Sequence, residues 1–284
     1  MSEEIKHSTG LLVIEVVNSN PNGDPDRESD PRQRPDERGE ISPVSFKRKL
    51  RDLVEHKENA PVWQAIASKL SLDPEEFGIL ESRESKLKDI RSLNEEQFKK
   101  KYWDGRVFGN TELEKGRKVP IRTGVVQFGL GVSIAPIRIE RMTTTNPSVE
   151  EGTSRGMAPL AYRVVQHGVY TMPFFVNPTA AQKSGCTARD IELMLRLIPY
   201  AYAHTASYIR PAVEIRHAWF IEHKSALGSC SDFALIAALT PKKTEKPEDP
   251  SIKWGDYGKV TAESIGSLKD KVAPVKDLMT DYVL

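Results

Sequence analysis

Leu11-Leu12-Val13-Ile14-Glu15-Val16-Val17, followed at once by Asn18-Ser19-Asn20-Pro21-Asn22-Gly23, is the stretch whose reading decides the fold. A continuous apolar run of this length, broken only by Glu15 and ended by turn-forming residues, predicts a buried first strand that gives way to a loop. From Asn18 to Ile41 the chain is polar and rich in Pro, Gly and Asp. Such a composition cannot build its own core, so a long loop is expected, and long loops inside domains are often functional.

Ser42-Pro43 then supplies an N-cap and a proline at the first helical position. Phe46, Leu50, Leu53 and Val54 recur at helical spacing, predicting a helix from Pro43 to His56. Residues 59–102 carry short helical patterns and read as a helical insertion. Val119 to Ile139 reads as strand, bent at Gly124, Gly129 and Gly131. Arg138 to Pro159, with Thr143-Thr144-Thr145, Gly152 and Gly156, is expected to form a protruding loop or hairpin. Gly168 to Val176 is strand again, and Thr187 caps a helix running to about Ala203. Ala212–Ile221 and Phe233–Leu239 read as two further strands. Without the insertion, the order strand, helix, strand, strand, helix, strand is the α+β, ferredoxin-like plan of RNA-recognition domains.

The whole-chain properties restrict function more than they assign it. Lys+Arg 41 against Asp+Glu 40 leaves a net charge of +1 across 284 residues, so any polyanion site must be a local patch. Cys186 and Cys230 form no CxxC pair, which signals neither a disulfide framework nor zinc, and a reducing cytoplasm is the expected location. No signal-peptide pattern and no apolar stretch of ~20 residues predicts export or a membrane span. P-loop, GxSxG, GxGxxG and HExxH patterns are missing from the sequence, so no cofactor and no metal is expected. The opening of a calcium loop at Asn18–Gly23 fails because Ser29 stands where a bidentate Glu is needed. His217 and His223 share a strand face by parity only.

Ser45-Phe46-Lys47-Arg48-Lys49-Leu50-Arg51 is the densest basic cluster. With Phe46 and Leu50 inward, Lys47 and Arg51 are expected to project together on the exposed side. Ser42, Ser45 and unpaired backbone amides beside them suit a phosphate. Asn18, Asn20 and the backbone after Gly23 are further candidate donors. Asp24, Asp26, Asp30 and Asp36, interleaved with Arg27, Arg32, Arg34 and Arg38, read as solvated loop charge.

These residues carry a resemblance. Val16-Val17-Asn18-Ser19-Asn20-Pro21-Asn22-Gly23-Asp24-Pro25-Asp26, followed by Ser45–Arg51, resembles the N-terminal signature of the backbone subunits of type I CRISPR Cascade complexes, closest to the type I-C branch. Asp104-Gly105-Arg106-Val107-Phe108-Gly109, Ile121-Arg122-Thr123-Gly124-Val125-Val126-Gln127, Ile139-Glu140-Arg141-Met142 and His167-Gly168-Val169-Tyr170 are similar to later segments of that family, in order. The resemblance implies a hand: a palm over 1–58 and 103–284, a helical finger over 59–102, and a thumb at about 138–160. It implies a non-enzymatic subunit that polymerises along crRNA, presents it to target DNA, and touches further copies of itself and other Cascade subunits. Ser45, Lys47, Arg48 and Arg51 are then expected on phosphate, Asn18, Asn20, Arg106 and Gln127 on the RNA, and Arg141 and Met142 at the thumb. The rival expectation is a metal-dependent endoribonuclease acting through Asp24 or Asp26, as in related type III subunits. An RNA-binding module outside CRISPR is the third.

Overall fold

The structure, a computed structural model, describes residues 4–82, 93–110, 123–146 and 158–283; the side chains of 144–146 and 158–160 are outside that description. The apolar run forms β1, Ser8–Ser19. Its residues alternate between two cores: Leu12, Ile14 and Val16 enter the larger, and Leu11 and Val13 the smaller. Burial on both faces explains why the sequence runs apolar without alternation.

Around β1 lie β2 (Arg38–Ile41), β3 (Val126–Phe128), β4 (Gly131–Pro136), β5 (Ile139–Asn146), β6 (Ala158–Val176), β7 (Val213–Glu222) and β8 (Lys276–Asp277). The sheet order is β2-β4-β6-β1-β7-β8, with β3 and β5 also paired to β6. β1 runs antiparallel to β6, from Ser8 opposite Val176 to Ser19 opposite Val165, and antiparallel to β7, with a register shift at Val13/Ile14.

On the larger core's side pack α1 (Pro43–Glu55), α2 (Pro61–Leu70), α3 (Glu95–Lys101), α4 (Trp103–Phe108), α5 (Pro178–Ser184) and α6 (Ala188–Leu197). The Ser42 hydroxyl accepts from the Ser45 amide and begins α1, while Thr187 and Asp190 form a capping box for α6. Within 59–102, Val62, Trp63 and Ile66 of α2 join the main core, whereas Leu80, Phe98 and Tyr102 form a small cluster of their own. Gly124 is required by close approach: a Cβ there would lie 2.2 Å from the Gly109 amide nitrogen.

The smaller core is covered by α7 (Asp232–Leu239) and by Tyr257, Ile265 and Val272; a last helical turn, α8 (Leu278–Asp281), closes the chain. Here the expected strand at Phe233–Leu239 is corrected to a helix. The Ser231 hydroxyl accepts from the Ala234 amide and three alanines favour the helical state, a cap that apolar continuity had hidden. The expected loop at 18–41 is also more ordered than composition suggested. It contributes β2, whose Ile41 is fully buried against the sheet, and Gly23 pairs with Pro31 and Gln33 with Gly39. It borrows a core it could not build. The 138–159 segment supplies the arms of an antiparallel hairpin, β5 and β6, paired from Ile139 opposite Val165 to Asn146 opposite Ala158. Its tip, with Gly152 and Gly156, lies outside the described residues, as do Val119, Pro120, Ile121 and Arg122. Among the described residues no helix is long and apolar enough to cross a membrane.

Candidate nucleic-acid interface

Near the end of β1, Asn18 has a φ of 43°, a left-handed conformation that asparagine tolerates. The backbone that follows is laced to the loop preceding β7. The Asn20 amide donates to Ile209 O at 2.7 Å, the Arg210 Nε donates to Asn20 O at 2.9 Å, and the Ala212 amide donates to Ser19 Oγ at 3.0 Å. Asn20 itself is only 2% exposed; its Nδ2 donates to Ser29 O at 2.7 Å, while its Oδ1 has no hydrogen-bond partner. Asn22 Oδ1 accepts from the Ser42 amide at 2.8 Å, tying this loop to the start of α1.

Lys49 of α1 reaches the same loop. Its Nζ donates to Thr205 Oγ1 at 2.9 Å and Thr205 O at 3.3 Å, and lies 5.1 Å from the Tyr202 ring centre. Lys49 is 5% exposed. Burial first, and the Arg210 guanidinium second, push its pKa from 10.5 down to about 8, against a weaker pull from Asp52. Among the described residues, neither Lys49 nor Arg210 is ion-paired with a carboxylate. Two neighbouring cations held in place without a carboxylate in ion-pair contact form a ready site for an anion.

The hairpin adjoins this pair. Met142 on β5 lies opposite Tyr162 on β6, and the Tyr162 ring meets Tyr208 in a T-shaped contact at 5.4 Å. Arg163 is ion-paired with Asp30 of the β1–β2 loop. Arg141 and Met142 are exposed.

The other expected residues divide. Arg51 does not project with Lys47 on an exposed side; it is 3% exposed, with Nε 2.8 Å from Asp104 Oδ2 and NH1 3.1 Å from a Glu81 carboxylate oxygen. α4 covers that edge of α1, which helical spacing within α1 alone does not reveal. Arg48 is half-buried and engaged with Asp52, Glu55 and Glu81 O. Arg106 is buried with all five N–H groups used, on both oxygens of Asp190 and on the carbonyls of Lys99, Lys100 and Glu76. The charged residues of Asp104-Gly105-Arg106 therefore brace α4 against α1 and α6. Lys47 is half-buried, 5.4 Å from the Phe108 ring centre, with its pKa lowered by burial and then by Arg51. Gln127 is exposed and donates to Gly124 O at 3.2 Å; Ser45 is half-buried beside the Ser42 cap. Lys49, Arg210 and Tyr208 went unmarked in the sequence. Lys49 stood inside the basic run, but the contrast between paired and unpaired cations exists only in three dimensions.

A sequence model of the family described as CRISPR-associated protein Cas7 matches residues 6–263. The chain belongs to the Cas7 family. No curated protein matches this Cas7-family sequence. Among solved structures, it is similar to a chain of a "CRISPR RNA-guided surveillance complex, pre-nicking", at 14% identity and a TM-score of 0.48 over 77% of this chain and 78% of that one. A chain of a "CRISPR RNA-guided surveillance complex" is 13% identical, with a TM-score of 0.39 over 75% and 69%. A chain of a "Type III-B Cmr-beta bound to cognate target RNA" complex is 13% identical, with a TM-score of 0.41 over 76% and 61%.

One cluster of this Cas7-family chain has a metal's donor set: His7, His223 and Asp232, with ligand atoms within 4.8 Å of one another. Its hydrogen bonds argue for a clamp instead. The Ser229 amide donates to His223 Nδ1 at 2.9 Å, so in the neutral ring Nε2 carries the proton and donates to Asp232 Oδ1, 3.1 Å away. A ligating Nε2 would need the proton on Nδ1, which faces that amide. Thr9 Oγ1 and His7 Nε2 complete the carboxylate's shell at 2.5 and 3.0 Å, joining β1 to the start of α7. His217 belongs elsewhere, with Nδ1 2.7 Å from Asp277 Oδ2, so shared strand parity did not bring it to His223.

Proposed function

We propose that this chain is the guide-RNA-binding backbone subunit of a type I CRISPR Cascade complex, polymerising along crRNA and presenting it for pairing with target DNA. Its partners are crRNA, target DNA through the guide, further copies of the chain and other Cascade subunits. The observation that carries the reading is the uncompensated pair Lys49 and Arg210, set between the Asn18–Gly23 loop and the hairpin of a Cas7-family chain. Cations, backbone groups and an asparagine at this place hold phosphate and ribose without reading bases, as a subunit that accepts any guide requires.

Several finer assignments belong to the same proposal. The order β7-β1-β6-β4, with α1 and α6 against one face, supports a ferredoxin-like palm over 1–58 and 103–284. Residues 59–102 are its finger, and the β5–β6 hairpin, over about 138–160, its thumb. Asn18, Asn20, Ser45, Lys47, Gln127, Arg141 and Met142 keep their assignment to RNA, and Lys49 and Arg210 join them. Arg48, Arg51 and Arg106 position the helices that carry the site, because their donors are already engaged within the chain.

The subunit is assigned no catalysis. Asp24 Oδ1 accepts from the Asp26 amide at 3.2 Å and Asp26 is exposed, an Asx turn rather than a rigid pair of metal ligands. The test is native mass measurement of the chain on single-stranded guide RNAs of increasing length, with magnesium present. Copy number should rise stepwise with length and the RNA should stay intact. One copy per RNA at every length would refute the backbone role, and cleavage abolished by Asp24→Ala or Asp26→Ala would replace it with the nuclease.

A further inference from the structure

Tyr208 is 61% exposed, an unusual setting for a tyrosine in a segment this well tied down. It stands in a tight turn, closed by the Arg210 amide donating to Ser207 O at 2.8 Å and by the Ser207–Arg210 bridge. Arg210 is in turn fixed to Asn20 O. The ring is not a loose appendage, because Tyr162 of β6 meets it edge to face at 5.4 Å. Met142, 39% exposed, lies across the ladder from Tyr162. A rigid aromatic and apolar surface therefore stands in water beside two cations that lack carboxylate partners. Rigidity lowers the entropic cost of stacking, and the cations supply the complementary charge for the strand whose bases would stack. A protein occupant would cover the aromatic surface but leave the cations unanswered unless it brought acidic groups; a nucleotide answers both at once.

We propose that Tyr208, backed by Tyr162 and bordered by Met142, is a stacking shelf for one nucleobase of the bound single strand, whose adjoining phosphate sits on Lys49 and Arg210. The proposal rests on the RNA-binding reading of this site and adds a base contact to it. An aromatic face accepts any base, so the shelf gives affinity without sequence preference.

The test uses the full chain, Tyr208→Ala and Tyr208→Phe, titrated with a single-stranded RNA and with the same strand made abasic at successive positions. The wild type should bind the intact strand more tightly than a strand abasic at the shelf position. Tyr208→Ala should lose about 5- to 100-fold in affinity for intact RNA and should no longer distinguish it from that abasic strand. Tyr208→Phe, which keeps the ring and loses the hydroxyl, should retain both the affinity and the distinction. Equal losses on intact and abasic RNA, or no loss in Tyr208→Ala while the wild type binds RNA, would overturn the shelf and leave the RNA-binding site standing. Loss of copy-to-copy assembly with unchanged binding of one copy to a short strand would assign Tyr208 to a protein contact and also overturn it. A wild type that binds no RNA would remove the site and the shelf together.

Discussion

Replacing Lys49 with methionine should make the RNA-free protein more stable and its RNA complex weaker. The side chain is nearly buried, without an ion pair, and its pKa falls from 10.5 to about 8. At about 1.4 kcal/mol per pH unit, holding the charged form in the folded protein at neutral pH costs about 3 kcal/mol. Lys49→Met removes that cost while keeping a flexible stem of similar length over the Tyr202 ring. It also removes two hydrogen bonds to Thr205, of which the one at 2.9 Å from the charged ammonium is worth about 1.5 kcal/mol and the one at 3.3 Å about a third of that. The balance is a gain of about 1 to 2 kcal/mol, or about 2 to 6 °C in Tm for a chain of this size. RNA affinity should move the other way. Loss of one charge-assisted contact, worth about 1.5 to 3 kcal/mol, weakens binding about 10- to 100-fold at low salt. The logarithmic salt slope should shrink by about 0.7 per subunit engaged. Thermal melting and filter binding on one preparation decide the matter. A lower Tm with unchanged RNA affinity would show that Lys49 is a structural cation and refute the reasoning.

Two further outcomes follow from the same geometry. Because phosphate favours protonated Lys49, binding should take up a proton and affinity should fall as pH rises from 7 through 8 to 9, a slope that Lys49→Met should flatten; stability of the RNA-free protein should instead gain from this group between about 8 and 10.5, where the unfolded lysine still holds a proton the folded one has lost. Arg106→Ala should lower stability by about 3 to 5 kcal/mol in urea titrations, because Asp190 is left buried without its cation, and should leave the RNA affinity of the folded fraction unchanged.

Much of the fold was legible because local chemistry and burial agreed. The apolar run of β1, the Ser42-Pro43 start of α1 and the Thr187 cap of α6 each state their element in the chain itself. Phe233–Leu239 was misread as strand because a short helix lying against one core can be apolar on most of its surface, and only the Ser231 cap distinguishes it. The region of the proposed site was legible, and the pairing state of its cations was not. Asn18–Gly23 and Ser45–Arg51 do converge, through Asn22 on the Ser42 amide. Which cation of the basic run has a carboxylate partner depends on α4, about fifty residues away, whose Asp104 pairs with Arg51 in the interior. Arg210 and Tyr208 sit in a segment with no motif, and they matter because the Asn20 backbone receives one and Tyr162 the other.

A net charge of +1 looked like an obstacle to a polyanion partner. The structure removes it by separating charge that is spent from charge that is not. Arg48, Arg51, Arg106 and Arg163 are balanced by carboxylates within hydrogen-bonding reach, so they contribute little field outside the protein. Among the described residues Lys49 and Arg210 have no carboxylate in ion-pair contact, and the lysine pKa is depressed first by burial and then by the neighbouring guanidinium. A phosphate placed between them relieves that repulsion as well as supplying attraction, so the differential stabilisation falls on the bound state, where it raises affinity. An overall excess of Lys and Arg would bind RNA wherever it landed; on the proposed reading, a cation pair without carboxylate partners beside a fixed loop would bind it at one place in each subunit, the condition for handing a strand from one copy to the next at constant spacing.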